Sequence, residues 1–427
     1  MKTVLKQVVV FVLTLEARLV LARHKPKVVA ITGNVGKTST KDAVFSLLSK
    51  STHARKSQKS FNSELGVPLT VLGLPTAWSS PLAWLENIWE GLLVALFSKD
   101  YPEWLVLEVG ADRPGDIRRA RWVRPHVAVY TYFPDVPVHV EFFDSPEQVI
   151  EEKRELGRAL RDEGTLAINA DDPKMQHEVL KEGQHVLSYG FAEHASVRAT
   201  EVSVLERDGV PSGMRAMLRF QDNAVPVELP GVLGKHHLYG PLAACAVAAA
   251  EGLALTKVTE AFKEHTPPPG RMRVLSGVRG TVVVDDTYNA SPAAVQAGLD
   301  SLALIEPSRP RVVILGDMME LGAYSAEAHR AVGAHVGTVA TEFVAVGVRM
   351  RGAAEAAKEE NMHLSVHTVR RAEDVFPMLP DVVPDNALVY VKGSQSVRME
   401  RVVEALLAEP EKAAELLVRQ EKEWKER

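Results

Sequence analysis

A short glycine-rich loop between an apolar run and a helical segment constrains the fold of this chain more than any other feature. Residues 28–32 (VVAIT) are typical of a buried β-strand, and residues 38–48 are typical of a helix. The sequence TGNVGKTS, residues 32–39, lies where the two meet. A strand, a glycine turn and a helix open a βα unit whose helix N-terminus favours a negatively charged ligand. The pattern therefore predicts a phosphate-binding loop.

The residue types in this loop are those that a phosphate site requires. Glycines allow backbone N–H groups to approach phosphates, Lys37 can reach the terminal phosphates, and Thr38 can ligate Mg²⁺. The usual pattern has four residues between glycine and Gly-Lys, whereas two residues separate Gly33 from Gly36, so a literal pattern search would miss this loop. The predicted nucleotide-binding residues of the loop are Gly33, Asn34, Val35, Gly36, Lys37, Thr38 and Ser39.

Apolar runs alternate with helical stretches along most of the chain, which predicts an α/β fold with mostly parallel sheets. After the first strand, these runs are 104–109, 127–130, 165–168, 281–284, 311–315, 343–346 and 388–391. Residues 197–229 instead show short alternating segments and glycine turns, which predict antiparallel strands. Three consecutive prolines in 265–270 (HTPPPG) predict a stiff hinge. We therefore predict three parts, namely an apolar N-terminal helix (1–25), a central nucleotide-binding domain (26–268) and a C-terminal Rossmann-like α/β domain (269–427).

Composition narrows the class of protein. A length of 427 residues suits two or three domains that each bury a core. Fifty basic and 55 acidic side chains leave a net charge of −5, which is too mild for electrostatic capture of nucleic acid. The single cysteine, Cys245, excludes an internal disulfide framework and suits a reducing compartment. We therefore expect a cytoplasmic protein with no nucleic-acid partner.

Two segments, 4–22 and 78–97, are unusually apolar. The run at 8–15 is interrupted by Glu16 and Arg18, well short of the ~20 apolar residues of a membrane-spanning helix. Leucine and tryptophan recur at helical spacing in the second segment. Each segment has two interpretations, a helix packed in the core or a surface that contacts a membrane or a partner. Peripheral membrane attachment through 4–22 or 78–97 therefore stays open beside a purely cytoplasmic location.

Several longer motifs resemble those of the Mur ligase family, which includes folylpolyglutamate and cyanophycin ligases. Besides the shortened phosphate loop, these motifs are FNSELGVPLT (61–70), EVGA (108–111), PGDI (114–117), DDTYNASP (285–292), GDMMELG (316–322) and VKGS (391–394). They are most similar to the MurF-type branch, which adds D-alanyl-D-alanine to a cell-wall precursor. The resemblance covers nearly the whole chain after residue 26. It implies a phosphate-loop central domain with a mostly parallel sheet, followed by a C-terminal ligase domain.

The resemblance implies an ATP-dependent ligase that forms an amide bond through an acyl phosphate. Transfer of the γ-phosphoryl group activates a carboxylate, and an incoming amine then expels phosphate. The implied reaction adds a dipeptide such as D-Ala-D-Ala to a peptidoglycan precursor peptide. A related ligase with another carboxylate acceptor, such as folylpolyglutamate or another cell-envelope precursor, stays open. A scaffold that binds nucleotide without chemistry is the third hypothesis, and intact Lys37, Thr38, Glu108 and Lys153 argue against it.

The resemblance also implies roles for single residues. It implies ATP, two Mg²⁺ ions and a carbamylated lysine at Lys153. The implied metal ligands are Thr38, Glu108, His139 and Lys153, and the implied catalytic residues are Lys37, His139 and Lys153. Further nucleotide contacts are implied for His237, Arg271 and Asp286, and contacts with the substrate for Tyr288, Asn289, Lys392 and Ser394. His237 stands where the family has an asparagine that contacts adenine, which puts recognition of adenine in doubt.

The N-terminal part departs from the MurF-type pattern. Those ligases ordinarily have a whole domain before the phosphate loop, which holds the uridine-diphosphate end of the substrate. In this chain only residues 1–25 precede the first predicted domain, so the usual N-terminal domain is missing from the pattern. We therefore expect either that the sugar nucleotide is held in another way or that the acceptor differs.

Overall fold

The computed structural model describes residues 3–58, 61–77, 80–135, 137, 139–175, 180–263, 266–305, 309–421 and 424. The helices are α1 (Thr3–His24), α2 (Lys37–Ser49), α3 (Gly66–Leu72), α4 (Pro81–Phe97), α5 (Asp116–Ala120), α6 (Pro146–Arg158), α7 (Tyr239–Ala250), α8 (Thr256–Phe262), α9 (Pro292–Ala303), α10 (Ser325–Val339), α11 (Met350–Glu360), α12 (Leu379–Val382), α13 (Glu400–Leu406) and α14 (Ala413–Leu416). The strands are β1 (Lys27–Thr32), β2 (Ala54–Lys56), β3 (Trp104–Glu108), β4 (Val127–Tyr130), β5 (Thr165–Asn169), β6 (His185–Gly190), β7 (Val197–Arg207), β8 (Val210–Phe220), β9 (Asn223–Pro230), β10 (Arg273–Ser276), β11 (Val282–Asp286), β12 (Arg311–Gly316), β13 (Glu342–Val346), β14 (Ser365–Val369) and β15 (Leu388–Lys392).

The first sheet has nine strands in the order β2-β3-β1-β4-β5-β6-β7-β8-β9. Its strands are parallel from β2 to β7, and β7, β8 and β9 are antiparallel, which confirms the prediction for 197–229. Helices cover both faces: Val29 and Ile31 join a cluster with α2 and α7, whereas Val28 and Ala30 join one with α1 and α3. Burial on both faces explains why β1 is a continuous apolar run.

The second sheet has six strands in the order β10-β11-β15-β12-β13-β14, and only β10 is antiparallel to its neighbour. The predicted α/β class with mostly parallel sheets is therefore confirmed. The part of the chain that forms the first sheet and the part that forms the second are called the two halves here. One apolar cluster contains side chains from both halves, including Leu242 of α7 and Leu299 of α9. The predicted domain boundaries at 25/26 and 268/269 stay predictions.

The carboxyl ends of the parallel strands bring the sequence motifs together. Ile31 of β1 is level with Glu108 of β3, so the phosphate loop begins beside that carboxylate. In the second sheet, Asp286 at the end of β11 is level with Lys392 at the end of β15. Ligands of open α/β sheets bind at this edge.

The two apolar segments form α1 and α4, with Trp78 outside the described residues. Each helix packs one face into the core, through Leu13 and Val20 of α1 and through Trp84 of α4. The packed interpretation therefore holds for one face of each helix. Within the described ranges, no helix is both long and apolar enough to cross a membrane.

Candidate active site

The phosphate loop has a backbone path that requires glycine. Gly33 and Gly36 have φ angles of +142° and +87°, where side chains are strained. A Cβ on Gly33 would lie 1.9 Å from Oγ1 of Thr131, so no larger residue fits there. The loop is tied to the end of β4, because the carbonyl oxygen of Tyr132 accepts hydrogen bonds from N–H groups of Asn34 (3.0 Å) and Val35 (3.3 Å).

Lys37 begins α2 and folds back over this loop. Its Nζ donates to the carbonyl oxygens of Gly33 (3.0 Å) and Asn34 (3.4 Å). Burial lowers the pKa of Lys37, and the nearby charge of Arg271 acts in the same direction, whereas Glu108 opposes both. The lysine is therefore already at the loop and can exchange two carbonyl contacts for phosphate oxygens.

Several polar atoms around the loop have no hydrogen-bond partner in the described part of the chain. They are both side-chain amide atoms of Asn34 and the hydroxyl oxygens of Thr32 and Thr131, all buried. Buried polar groups are nearly always paired in folded proteins. Their concentration here fits a site that a polar ligand completes.

Glu108 connects three motifs at the end of β3. Its Oε2 accepts a hydrogen bond from Oγ1 of Thr38 (3.0 Å), and Oε1 accepts one from Nδ2 of Asn62 (3.2 Å). Nζ of Lys41 lies 3.8 Å from Oε2. The structure therefore brings together Thr38 and Glu108, two of the predicted metal ligands. Sequence reasoning assigned no role to Asn62, although it belongs to the FNSELGVPLT motif.

Lys153 is buried on α6 rather than paired along the surface of that helix. Glu152 accepts hydrogen bonds from the N–H groups of Gly115 (2.9 Å) and Ile117 (2.8 Å), and Glu151 pairs with Arg158. In the chain as described, no ion pair joins Lys153 to a carboxylate of its own helix. Burial lowers the pKa of Lys153 to about 7, and the charge of Lys37 contributes to this shift.

His139 lies between the two halves of the chain. Its Nε2 is 3.5 Å from Oδ1 of Asp112, and its Nδ1 is 3.2 Å from Oε2 of Glu320, which follows β12. Burial lowers the pKa of His139, and the charges of Lys37 and Lys153 act in the same direction. The contact with Glu320 was not predicted, because it joins residues that are distant in sequence.

The predicted metal ligands do not form a closed cage. Among the residues that the structure describes, no group of three or more His, Cys, Asp and Glu side chains could hold a metal ion. Mg²⁺ commonly binds through one or two carboxylates together with water and substrate phosphates. Glu108 with Thr38 is a donor pair of this kind.

In the second half, Asp286 and Lys392 form a buried ion pair. Nζ of Lys392 is 2.6 Å from Oδ2 of Asp286, which also accepts a hydrogen bond from the hydroxyl of Tyr390 (3.1 Å). Sequence reasoning assigned the aspartate to nucleotide and the lysine to substrate, without expecting them to meet. The guanidinium of Arg271 stacks 4.0 Å from the ring centroid of Tyr288.

Asn289 and Ser394 line a pocket of about 410 Å³ together with Glu320, Arg398 and Trp424. Oγ of Ser394 accepts a hydrogen bond from the N–H of Met319 (2.9 Å), which holds the pocket rim in place. Two of the four predicted substrate residues therefore share one cavity.

The C-terminal segment also reaches this region, which sequence reasoning missed. Buried Arg419 donates hydrogen bonds to the carbonyl oxygens of Thr287 (3.1 Å) and Tyr288, and it pairs with Glu400 (2.9 Å). No motif marks Arg419, because its role depends on the chain returning to the end of β11.

His237 lies just before α7 and against the first turn of α2. It lines a small cavity of about 20 Å³ with Ser39, Phe262 and Pro268. Its ring centroid is 4.4 Å from that of His236. The structure therefore places His237 beside Ser39, another predicted nucleotide residue.

Comparison with known proteins shows where this architecture occurs. The family model described as "Mur ligase middle domain" matches residues 31–248, and that described as "Mur ligase, glutamate ligase domain" matches residues 270–395. The chain is 26% identical over 387 residues to the UDP-N-acetylmuramoyl-tripeptide–D-alanyl-D-alanine ligase of Bacillus subtilis (strain 168), covering 90% of this chain and 76% of that protein.

Solved structures show the same fold. A crystal structure of MurF from Acinetobacter baumannii matches with a TM-score of 0.75 and 24% identity, covering 92% of this chain and 79% of that one. MurF ligase from Thermotoga maritima in complex with ADP matches with a TM-score of 0.74 and 24% identity, covering 97% and 85%. The two family models together span most of the chain, and the phosphate loop, Glu108 and the β11 and β15 motifs lie within them. The chain belongs to the Mur ligase family.

Proposed function

We propose that this chain is an ATP-dependent peptide ligase that adds D-alanyl-D-alanine to the tripeptide of a peptidoglycan precursor. The activity is the one in the name of the Bacillus relative, which aligns with 90% of this chain. The observation that carries the proposal is the convergence of Lys37, Glu108 and Lys153 at the phosphate loop. The three groups are close enough to interact, since the charge of Lys37 lowers the pKa of Lys153 and the charge of Glu108 raises that of Lys37.

ATP fits the loop because buried polar atoms of Thr32, Asn34 and Thr131, on the loop and beside it, have no hydrogen-bond partner in the described chain. Lys37 would leave the loop carbonyls and neutralise charge on the terminal phosphates during transfer to the carboxylate. His237 lies beside Ser39 of α2 and would contact the nucleotide, and the cavity of about 20 Å³ between them would have to widen to admit the adenine ring.

Mg²⁺ fits the oxygen donors at the end of β3. Thr38 and Glu108 would hold one ion, and His139 with a modified Lys153 would hold a second. A bound ion supplies charge neutralisation at the phosphates. The hydrogen bond from Asn62 to Glu108 orients that carboxylate and leaves its other oxygen directed at Thr38.

Lys153 suits carbamylation because its surroundings favour the neutral amine. With a pKa of about 7, a large fraction of the amine is unprotonated near neutral pH. Its nitrogen lone pair would attack CO₂, forming a C–N bond and releasing one proton. The product is an anion formed from a neutral amine, so it would offset the positive charge of Lys37.

The carboxylate to be activated and the incoming amine must meet between the two halves. The pocket lined by Asn289, Ser394 and Arg398 opens in the second half and would take the amine. His139 and Glu320 join the halves beside it, so closure would bring the amine towards the acyl phosphate.

The test is phosphate release from ATP by purified protein, followed by mass spectrometry of the product. We expect release with UDP-MurNAc-tripeptide only when D-Ala-D-Ala is present, and a product one dipeptide heavier. Release with a folate acceptor and glutamate, but not with the muramyl tripeptide, would replace the proposal with the alternative ligase. No release with either pair would leave a nucleotide-binding scaffold.

A further inference from the structure

The outer faces of α1 and α4 carry most of the exposed apolar side chains of the described chain. Of eighteen large apolar residues that are well exposed, ten lie on these two helices. Phe11 is 71% exposed, Leu82 is 73% exposed and Trp89 is 61% exposed. The complete set, called the α1–α4 face here, is Val8, Phe11, Leu15, Leu19, Leu82, Leu85, Trp89, Leu93, Leu96 and Phe97. Such a concentration marks an interaction surface.

Both helices already bury their opposite faces, so the exposed residues are not a misplaced core. Leu13 and Val20 of α1 and Trp84 of α4 pack into the cluster beneath the first sheet. A contiguous apolar surface opposite a buried face is normally covered by a partner. The α1–α4 face therefore requires a cover that lies outside the described chain.

The two helices lie side by side and run in the same direction. A Cβ on Gly91 would lie 2.2 Å from Oε2 of Glu16, so the carboxylate lies directly against α4 at residue 91. Further along, Nη1 of Arg23 donates to the carbonyl oxygen of Ala95 (2.9 Å). The two apolar stripes therefore border each other and form one surface.

Charges at this surface are divided between the helices. Arg18 of α1 and Glu86 and Glu90 of α4 are exposed, and none of the three forms an ion pair within the described residues. An anionic bilayer would attract Arg18 but repel the two glutamates on either side of Trp89. A second copy of the same surface, rotated by 180°, would instead place the basic residue of each α1 opposite the acidic residues of the other copy's α4.

We propose that the α1–α4 face is the interface between two copies of this chain related by a two-fold axis. An axis parallel to the helices places each α1 on the partner's α4 at the same axial level. Glu16 is level with Gly91, so Arg18 lies about 4.5 Å along the axis from the partner's Glu90, within reach of both side chains. Such isologous pairing uses the same patch on both copies.

The size of the surface suits a stable dimer. Ten side chains, three of them aromatic and each more than a third exposed, together offer apolar area on the order of several hundred Å². A standard interface buries about 800 Å² on each partner. The helices also lead directly into β1 and towards β3, so the interface would support the strands that carry the phosphate loop and Glu108.

Sedimentation equilibrium over a wide concentration range tests the proposal. We expect wild-type protein to show twice the 46.8 kDa mass of one chain. Trp89→Asp should make it monomeric, because the change places a charge in the middle of the apolar surface. Met362→Asp is the matched control, since Met362 is an isolated exposed residue on the other half, and that variant should stay dimeric. Circular dichroism spectra of both variants establish that they fold.

Charge reversal separates specific pairing from general stickiness. Arg18→Glu should raise the dimer dissociation constant at least ~10-fold, and adding Glu90→Arg should restore most of the loss. A monomeric wild-type protein would overturn the proposal, whether or not it floats with phosphatidylglycerol vesicles; flotation would identify a lipid surface as the cover. A dimer that persists in Trp89→Asp would equally overturn it.

Discussion

Among the described residues, Nζ of Lys37 hydrogen-bonds only to backbone carbonyl oxygens of the loop, so its removal breaks no side-chain pair. We expect Lys37→Ala to lower the rate of ATP-dependent ligation at least ~100-fold, because a charged group that stabilises the transition state is lost. Phosphate release measures the rate, and thermal unfolding shows whether the fold persists. Lys358→Ala, at an exposed site on α11, is the matched control. Normal turnover by a folded Lys37→Ala protein would exclude the phosphate-loop assignment.

Lys153 is the residue whose environment differs most from that of a surface lysine. Since its carboxylate neighbours on α6 are engaged elsewhere and its pKa is lowered to about 7 by burial, we expect Lys153→Ala to be nearly inactive. Acetate or formate should partly restore activity, because a small carboxylate can replace the missing carbamate. In addition, activity of the wild-type protein should fall when CO₂ and bicarbonate are removed from the buffer. An active alanine variant, or an inactive one with no rescue, would remove this role.

The stability of the protein should depend on pH through Glu16, whose carboxylate is buried between α1 and α4. Its Oε2 is buried without a partner in the described chain, and burial raises its pKa to about 7. The folded state therefore binds a proton that the unfolded chain releases near pH 4.5, so stability from this group is present below pH 4.5 and is lost as pH rises through 7.

Glu16→Gln should consequently stabilise the protein by roughly 2 kcal/mol above pH 7, and the gain should shrink towards pH 4.5. Urea unfolding at several pH values measures the difference. Glu103→Gln, at an exposed glutamate, should change the free energy of unfolding little at any pH. A gain that is the same at pH 5 and pH 8 would mean that the charge of Glu16 is not the cause.

The helices and strands that could be predicted from the sequence are those whose own residues show a clear apolar pattern. Strands β1, β3, β4 and β15 are buried on both faces and read as continuous apolar runs, so they were found within a residue or two. Strand β2 was missed because it has only three residues, all partly exposed. The alanine-rich segment 240–255 favours a helix throughout by composition, whereas the structure ends α7 at Ala250 and begins α8 at Thr256 after a turn.

Some site residues could likewise be predicted from local motifs, and others could not. Thr38 and Glu108 could be predicted because each stands at a strand or helix end beside the loop. The pairing of Asp286 with Lys392 depends on the register of β11 and β15, and the contacts of Arg419 depend on the path of the last segment. Neither is encoded in a local pattern, so only the folded chain reveals them.

At the scale of the whole molecule, the two halves share more than a linker. One apolar cluster runs from Leu242 on α7 to Leu299 on α9, and Val232 forms a β-bridge with Arg273. The N–H of Val274 also donates to the carbonyl oxygen of Gly231 (2.9 Å). This packed contact therefore restrains motion about the hinge that the sequence predicts at 265–270.

Because the two halves share this apolar cluster, we expect them to unfold together. We expect one calorimetric transition for the wild-type protein, because loss of either half exposes apolar surface of the other. Leu299→Ala leaves a cavity that costs about 2–5 kcal/mol, and it should shift the whole transition to lower temperature. Leu304→Ala, at the exposed residue that directly follows the same helix, should leave the transition unchanged. Two peaks, of which only one moves in Leu299→Ala, would show instead that each half is stable alone and that the shared cluster contributes little to holding them together.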